Sequence, residues 1–229
     1  MPISEQNLAA QSWRRLAGFL VFLAVLIFLP AGSLAYWQGW LFLAVFAGCC
    51  AFTTAHLLKR DPALVARRLH VGARAEKEPA QKRIQRVAGL CVCGLYAVSA
   101  LDHGLGWSQV PTLIVLAGDL AVIAGFGVML RVFRENSYAA SIVTVEAGQR
   151  VIATGPYARV RHPMYSGALV LFLGTPLALG SWWGLLLCLP LIAVLIARLD
   201  HEEQFLMRNL SGYSDYRKQV RMRLIPGLW

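Results

Sequence analysis

Apolar runs of about twenty residues, the length that crosses a hydrocarbon core of roughly 30 Å as a helix, recur along the chain. They cover 16–34, 41–58, 87–101 and 112–130, and each is separated from the next by a polar or aromatic segment. A fifth apolar region, 164–197, is too long for one ordinary span and is interrupted at Gly174-Thr175-Pro176 and at Gly180-Ser181-Trp182-Trp183-Gly184. Two foldings compete there: one long kinked helix, or a helical hairpin that enters the membrane and returns. The polar segments decide between them. Lys and Arg crowd 59–86 and 131–163 and recur after Arg198, whereas 35–40 and 102–111 contain neither. With four spans before it, a single crossing would place the basic tail on the side opposite the other basic loops, against the positive-inside rule. A hairpin keeps all 22 Lys and Arg together. The pattern therefore predicts an all-α, polytopic helical membrane protein. It has four spans, a C-terminal membrane hairpin, and an amphipathic cytoplasmic helix after Arg198 with Phe205, Leu206 and Leu210 on its apolar side.

Composition agrees with that pattern. The chain is 57% hydrophobic and only 15% charged, where a soluble domain carries about a quarter charged residues. No linker divides it, so residues 1–130 and 131–229 are expected to form one integrated domain, the first half mainly spans and the second carrying the chemistry. A net charge of +10 is explained by cytoplasmic loops that face anionic headgroups. No basic patch interleaved with stacking aromatics suggests a nucleic-acid partner. The five cysteines lie in apolar runs and read as small buried hydrophobes, and Cys91-Val-Cys93 has neither the spacing nor the companions of a zinc site. No cleavable signal peptide is expected. Asp61-Pro62 reads as a helix N-cap followed by proline at the first position, which predicts a short interfacial helix. Asp119, inside the fourth span, is a candidate by position alone.

Chemistry concentrates on the basic side. In Gly155-Pro156-Tyr157-Ala158-Arg159-Val160-Arg161-His162-Pro163-Met164-Tyr165-Ser166-Gly167, turn formers, arginines and aromatics directly precede a membrane segment. Proline pushes His162 toward extended backbone, and the helix start that follows offers unpaired N–H groups. In Arg198-Leu199-Asp200-His201-Glu202-Glu203, Arg198 and Glu202 share a helix face, while Glu203 is turned about 100° away. Gly212-Tyr213-Ser214-Asp215-Tyr216 and Arg223-Leu224-Ile225-Pro226-Gly227 complete the set. Taken singly, each cluster also suits a juxtamembrane anchor or a surface ion pair.

The order G-x-Y, R-H-P-x-Y-x-G, apolar hairpin, R-x-x-x-E-E and G-Y-x-x-Y resembles the isoprenylcysteine carboxyl methyltransferase family. It is similar also to related bacterial and archaeal membrane methyltransferases and to phospholipid methyltransferases. The resemblance covers about 130–226. It implies an S-adenosylmethionine-dependent methyltransferase whose membrane-embedded pocket opens to the cytoplasm. For the cofactor it implies Gln149, Arg150, Val151 and Ile152 before the turn, and Tyr157, His162, Pro163, Met164 and Tyr165 in and after it. Glu202 belongs to the same site. Arg198 is implied to face the acceptor, with Arg131 as a second functional arginine and Glu203 as a candidate base. Fewer spans and a shorter 146–150 segment than in eukaryotic members imply a bacterial or archaeal inner membrane. An apolar groove between the fourth span and the hairpin is expected to admit the tail of a lipophilic acceptor.

A carboxylate acceptor would be ionised at neutral pH and need no base. An amine acceptor would need one, with Glu203, His201 or His162 as candidates. Three alternatives stay open: a phospholipid or amine N-methyltransferase, an NADPH-dependent sterol-type reductase, and a non-catalytic membrane protein.

Overall fold

The computed structural model describes residues 5–69, 76, 79–139, 144–146 and 148–229. Among these residues there are helices and turns but no strands. Helix α1 (Glu5–Ala31), α2 (Trp37–Arg60), α4 (Pro79–Leu105) and α5 (Thr112–Glu135) are long membrane helices. The short α3 (Pro62–Arg68) joins α2 to the loop before α4. The hairpin consists of α6 (Pro163–Ala178) and α7 (Cys188–Asn209), and α8 (Tyr213–Gln219) follows. Five helices are long and apolar enough to cross a membrane, and α6 is a shorter apolar helix. The protein is a polytopic helical membrane protein, as the hydropathy pattern predicts.

Local chemistry sets the boundaries. Asp61 caps α3, its carboxylate accepting the Leu64 N–H at 2.9 Å, and Pro62 opens the helix. Membrane helices run past the apolar runs at their basic ends, because polar residues there need not leave the helix when it enters the headgroup zone. Thus α4 begins at Pro79 rather than near 87, and α5 continues through Arg131 and Arg134. The amphipathic stretch expected after Arg198 is the uninterrupted continuation of α7. It stops at Asn209, ahead of Gly212 in the left-handed region with φ +83°.

The hairpin apex reaches the far ends of the other helices. Ser181 donates to the buried Asp102 carboxylate at 2.5 Å, and the Trp182 N–H donates to Ser108 at 3.2 Å. Tyr36, in the α1–α2 turn, donates to the Leu179 carbonyl at 2.5 Å. At the opposite end His162 and Glu203 meet at 3.1 Å. Both legs of the hairpin therefore traverse the bundle, which returns the chain to its starting side.

Between α5 and α6 the closest contact is made by glycines. Gly118 and Gly125 on α5 face Gly174 and Gly167 on the antiparallel α6. A Cβ at Gly118 would lie 2.3 Å from the Ala178 nitrogen, and one at Gly125 would lie 2.7 Å from the Gly167 carbonyl oxygen. Backbones this close are the membrane mode of helix packing, in which small residues substitute contact for hydrophobic drive. Apolar space lies beside that seam, lined by residues of α1, α2 and α5 and, deeper in, of α4 and α6.

Candidate active site

The chain enters the site from the end of α5. Gly155 takes φ +57° where a Cβ would lie 2.8 Å from the Glu135 carboxylate, so only glycine fits the turn. Thr154 donates to that same carboxylate, and the turn Gly155–Ala158 then carries Tyr157 inward. The Tyr157 hydroxyl accepts the Asn136 amide at 2.9 Å, and its carbonyl accepts the Tyr216 hydroxyl at 2.7 Å. Burial, aided by the Glu202 charge, pushes the Tyr157 phenol up to about 12 despite the Asn136 amide, so it stays neutral. Burial raises the phenols of Tyr213 and Tyr216 as well.

The Arg161-His162 backbone is braced from elsewhere. Its two N–H groups donate to the carbonyls of Met222 and Arg223, each at 2.9 Å. The Arg161 side chain donates to the carbonyls of Val220 and Arg221 at 2.9 and 2.7 Å. It also donates to Glu203 at 2.6 Å. Glu203 is buried and gathers His162 at 3.1 Å and Arg223 at 3.4 Å as well. One carboxylate thus ties the His-Pro turn, α7 and the segment after α8 into a single buried knot. Its surroundings supply the charge-assisted hydrogen bonds that a buried carboxylate requires.

One position earlier on α7, Glu202 faces the other way. Tyr165 donates to it at 2.5 Å, and Arg198, one turn back on α7, donates to the Tyr165 oxygen at 2.9 Å. Arg198 also pairs with the buried Glu76 at 3.1 Å, which brings a residue from the loop before α4 to the edge of the site. Sequence spacing alone does not point to Glu76, because it contacts a residue more than a hundred positions away.

These elements enclose a cavity of about 800 Å³ including its mouth, within the range of small-molecule sites. All ten residues expected at the cofactor line it: Gln149, Arg150, Val151, Ile152, Tyr157, His162, Pro163, Met164, Tyr165 and Glu202. The structure does not gather the other three into its wall. Arg198 stands behind Tyr165, and Glu203 is enclosed in the knot. Arg131 borders a separate groove with Arg134 and Arg159. Asn136, Tyr138, Leu206 and Tyr213 also line the cavity without having been singled out as site residues. For Tyr213 the G-Y-x-x-Y pattern was the available signal. Its buried hydroxyl has no partner among the described residues, although the residue borders the cavity.

The wall combines aromatic and apolar faces with a carboxylate. Aromatic faces (Tyr157, Tyr213, Tyr216) and apolar side chains (Val151, Ile152, Leu206) can enclose a base, and the Glu202 carboxylate can accept from hydroxyl or ammonium groups. Asp119, by contrast, is buried within the bundle, and neither carboxyl oxygen has a partner among the described residues.

No curated protein matches the chain. A family model does: residues 113–212, which include α5, the His-Pro turn, the hairpin and Glu202, match phospholipid methyltransferase. Placed on the folded chain, that stretch supplies most of the cavity wall, so the part of the chain that builds the site is similar to the phospholipid methyltransferase family, which includes the isoprenylcysteine carboxyl methyltransferases.

Proposed function

We propose that this protein is an integral membrane methyltransferase that uses S-adenosylmethionine to methylate the carboxylate of a prenylcysteine-like or other lipophilic acceptor. In this reading residues 131–229 hold the cofactor and residues 1–130 form most of the membrane body. The pocket opens toward the cytoplasm on the side where the basic loops collect. The observation that carries the proposal is Glu202. It is a partly buried carboxylate held by Tyr165 in an aromatic-walled cavity that Tyr213, whose hydroxyl has no partner among the described residues, also lines.

S-adenosylmethionine, when bound, supplies an electrophilic methyl group on a sulfonium. The chain's part is positional. Glu202 would accept from the cofactor's hydroxyl or ammonium groups, and Tyr157, Tyr213 and Tyr216 would offer aromatic faces to its base. The Arg198–Tyr165 pair keeps Glu202 from swinging out. Fixing two reactants in line can supply up to roughly 7–11 kcal/mol of a barrier, so rigidity of this wall is the main catalytic resource. Carboxylate rather than amine methylation is favoured by the state of the candidate bases. Glu203 is held by Arg161 and Arg223, His162 is hydrogen-bonded to Glu203, and His201 is exposed on another face. An amine would find no free base among them.

Calorimetry on the detergent-purified protein tests the reading. S-adenosylmethionine is expected to bind and NADPH not to. Glu202→Gln is expected to weaken cofactor binding about tenfold, the loss of one charge-assisted hydrogen bond at about 1.4 kcal/mol. Tight NADPH binding, or an unchanged affinity in Glu202→Gln, overturns it.

A further inference from the structure

Helix α3 ends in two arginines with opposite fates. Arg67 is satisfied: it forms a two-pronged pair with Glu146 at 2.6 and 3.1 Å and donates to the Ser137 carbonyl at 3.1 Å. Arg68 is not. It donates to the Ala139 carbonyl at 3.0 Å and lies over the Phe133 ring at 4.4 Å, yet it forms no ion pair among the described residues. Burial pulls its guanidinium down to about 10, with no carboxylate among the described residues to offset the effect. A desolvated cation without a counter-charge is costly, and proteins keep one where a ligand supplies the anion.

The place is specific. Arg68 sits at the head of a groove whose walls include Leu16 of α1, Thr53 of α2 and Phe126 of α5. The groove shares Cys50, Phe126 and Met129 with a deeper, wholly apolar cavity that continues to Leu26 and Phe172. From Ser12 to Leu26 this space follows α1 for about 21 Å at 1.5 Å per residue, enough for an extended single lipid chain. At its head, Arg68 comes within 3.9 Å of the Met164 sulfur, and Met164 lines the proposed cofactor cavity. Among the described residues no acidic side chain lines the groove, so an ammonium headgroup would meet a cation there.

We infer that this groove is the acceptor site: a single-chain lipid carboxylate lies between α1, α2 and α5 with its head on the Arg68 guanidinium, beside Met164. The inference rests on the methyltransferase reading for its meaning, but it concerns binding and is tested without turnover. Arg68, rather than Arg198, then holds the acceptor head, because Arg198 is engaged with Glu76 and Tyr165.

Photolabelling of the full-length protein in lipid nanodiscs, with a diazirine-bearing C16 carboxylic acid and the matching C16 alcohol, tests it. Adducts on peptides containing Leu16, Thr53 and Phe126 are expected from the acid on the order of tenfold more than from the alcohol, as loss of a charge-assisted bond implies. Arg68→Gln should bring acid labelling down to the alcohol's level, and Arg68→Lys should retain much of it. Thr53→Trp, which fills the groove and leaves Arg68 untouched, should suppress both labels. Calorimetric binding of S-adenosylmethionine by each variant reports that it is folded. Should Arg68→Gln not fold, Thr53→Trp and the acid-to-alcohol ratio decide. Equal labelling by acid and alcohol, adducts outside the groove, or labelling that survives Thr53→Trp would overturn the inference. Failure of the parent protein to bind S-adenosylmethionine would remove the methyltransferase reading while leaving a selective acid label standing.

Discussion

Glu202 and Glu203 are neighbours in sequence and opposites in environment. About 100° of helix rotation turns the first toward a cavity and the second into a knot of Arg161, His162 and Arg223. Their substitutions should separate accordingly. Glu203→Gln leaves buried Arg161 without its counter-charge, and the cost is expected to be about 3–5 kcal/mol of stability. It would be measured as a lowered unfolding midpoint in detergent. Tyr165→Phe removes the link between Arg198 and Glu202 but little volume. It should leave that midpoint almost unchanged while weakening cofactor affinity severalfold in calorimetry, by about 1 kcal/mol. If the two variants behaved alike, the division between scaffold and wall would be wrong. Tyr157, His162–Tyr165 and Glu202 were readable because they lie close together in the His-Pro turn and the R-x-x-x-E-E motif, Gln149–Ile152 came only through the family resemblance, and Asn136, Tyr138 and Leu206 belong to no such motif. Glu76 and Arg68 were not readable, since their partners come from segments roughly seventy to a hundred and twenty positions away.

At the scale of elements, the helices were legible as apolar runs, yet their mutual packing was not. Periodicity reports that a helix is apolar, not which helix its glycines meet. The backbone-to-backbone contact of α5 and α6 at Gly118, Gly125, Gly167 and Gly174 could therefore not be foreseen, while the apolar space beside it is lined by both helices. A matched pair of variants checks that contact. Gly125→Leu must force the helices apart and is expected to abolish folding into a single detergent-stable species, as judged by size-exclusion chromatography. Gly127→Ala, two positions on and facing open space, should be neutral or stabilising by up to about 1 kcal/mol through helix propensity. The extension of α7 through Arg198 to Asn209 is also an element-scale fact. One rigid rod carries both the apolar return leg and the acid pair, so the acid pair's depth is set by the span itself.

For the whole molecule, the connections 32–36, 106–111 and the hairpin apex lie at one end. The His-Pro turn, α3 and the basic tail lie at the other. Charge distribution along the chain was enough to foresee this even number of crossings, because a basic segment cannot be parked on either side at will. Orientation in a cell is the matching prediction. Single cysteines at Ser108 and Ser214, introduced into a variant lacking the five native cysteines, should label from opposite faces with a membrane-impermeant maleimide. The Ser214 site should be reachable only after the membrane is opened from the cytoplasmic side. Labelling of both from one face would break the hairpin and with it the shared cavity.

The brace on Arg161 and His162 carries a consequence for biosynthesis. Their backbone and the Arg161 guanidinium are held by carbonyls of residues 220–223, some sixty positions downstream. At translation speeds of about 5–20 residues per second, the turn waits roughly 3–12 seconds after its own synthesis for those carbonyls to arrive. During that interval α1, α2, α4 and α5 are already made while α6 and α7 are still being added, and the pocket lacks one wall. Nascent chains stalled before residue 220 should therefore be membrane-integrated and yet unable to capture cofactor.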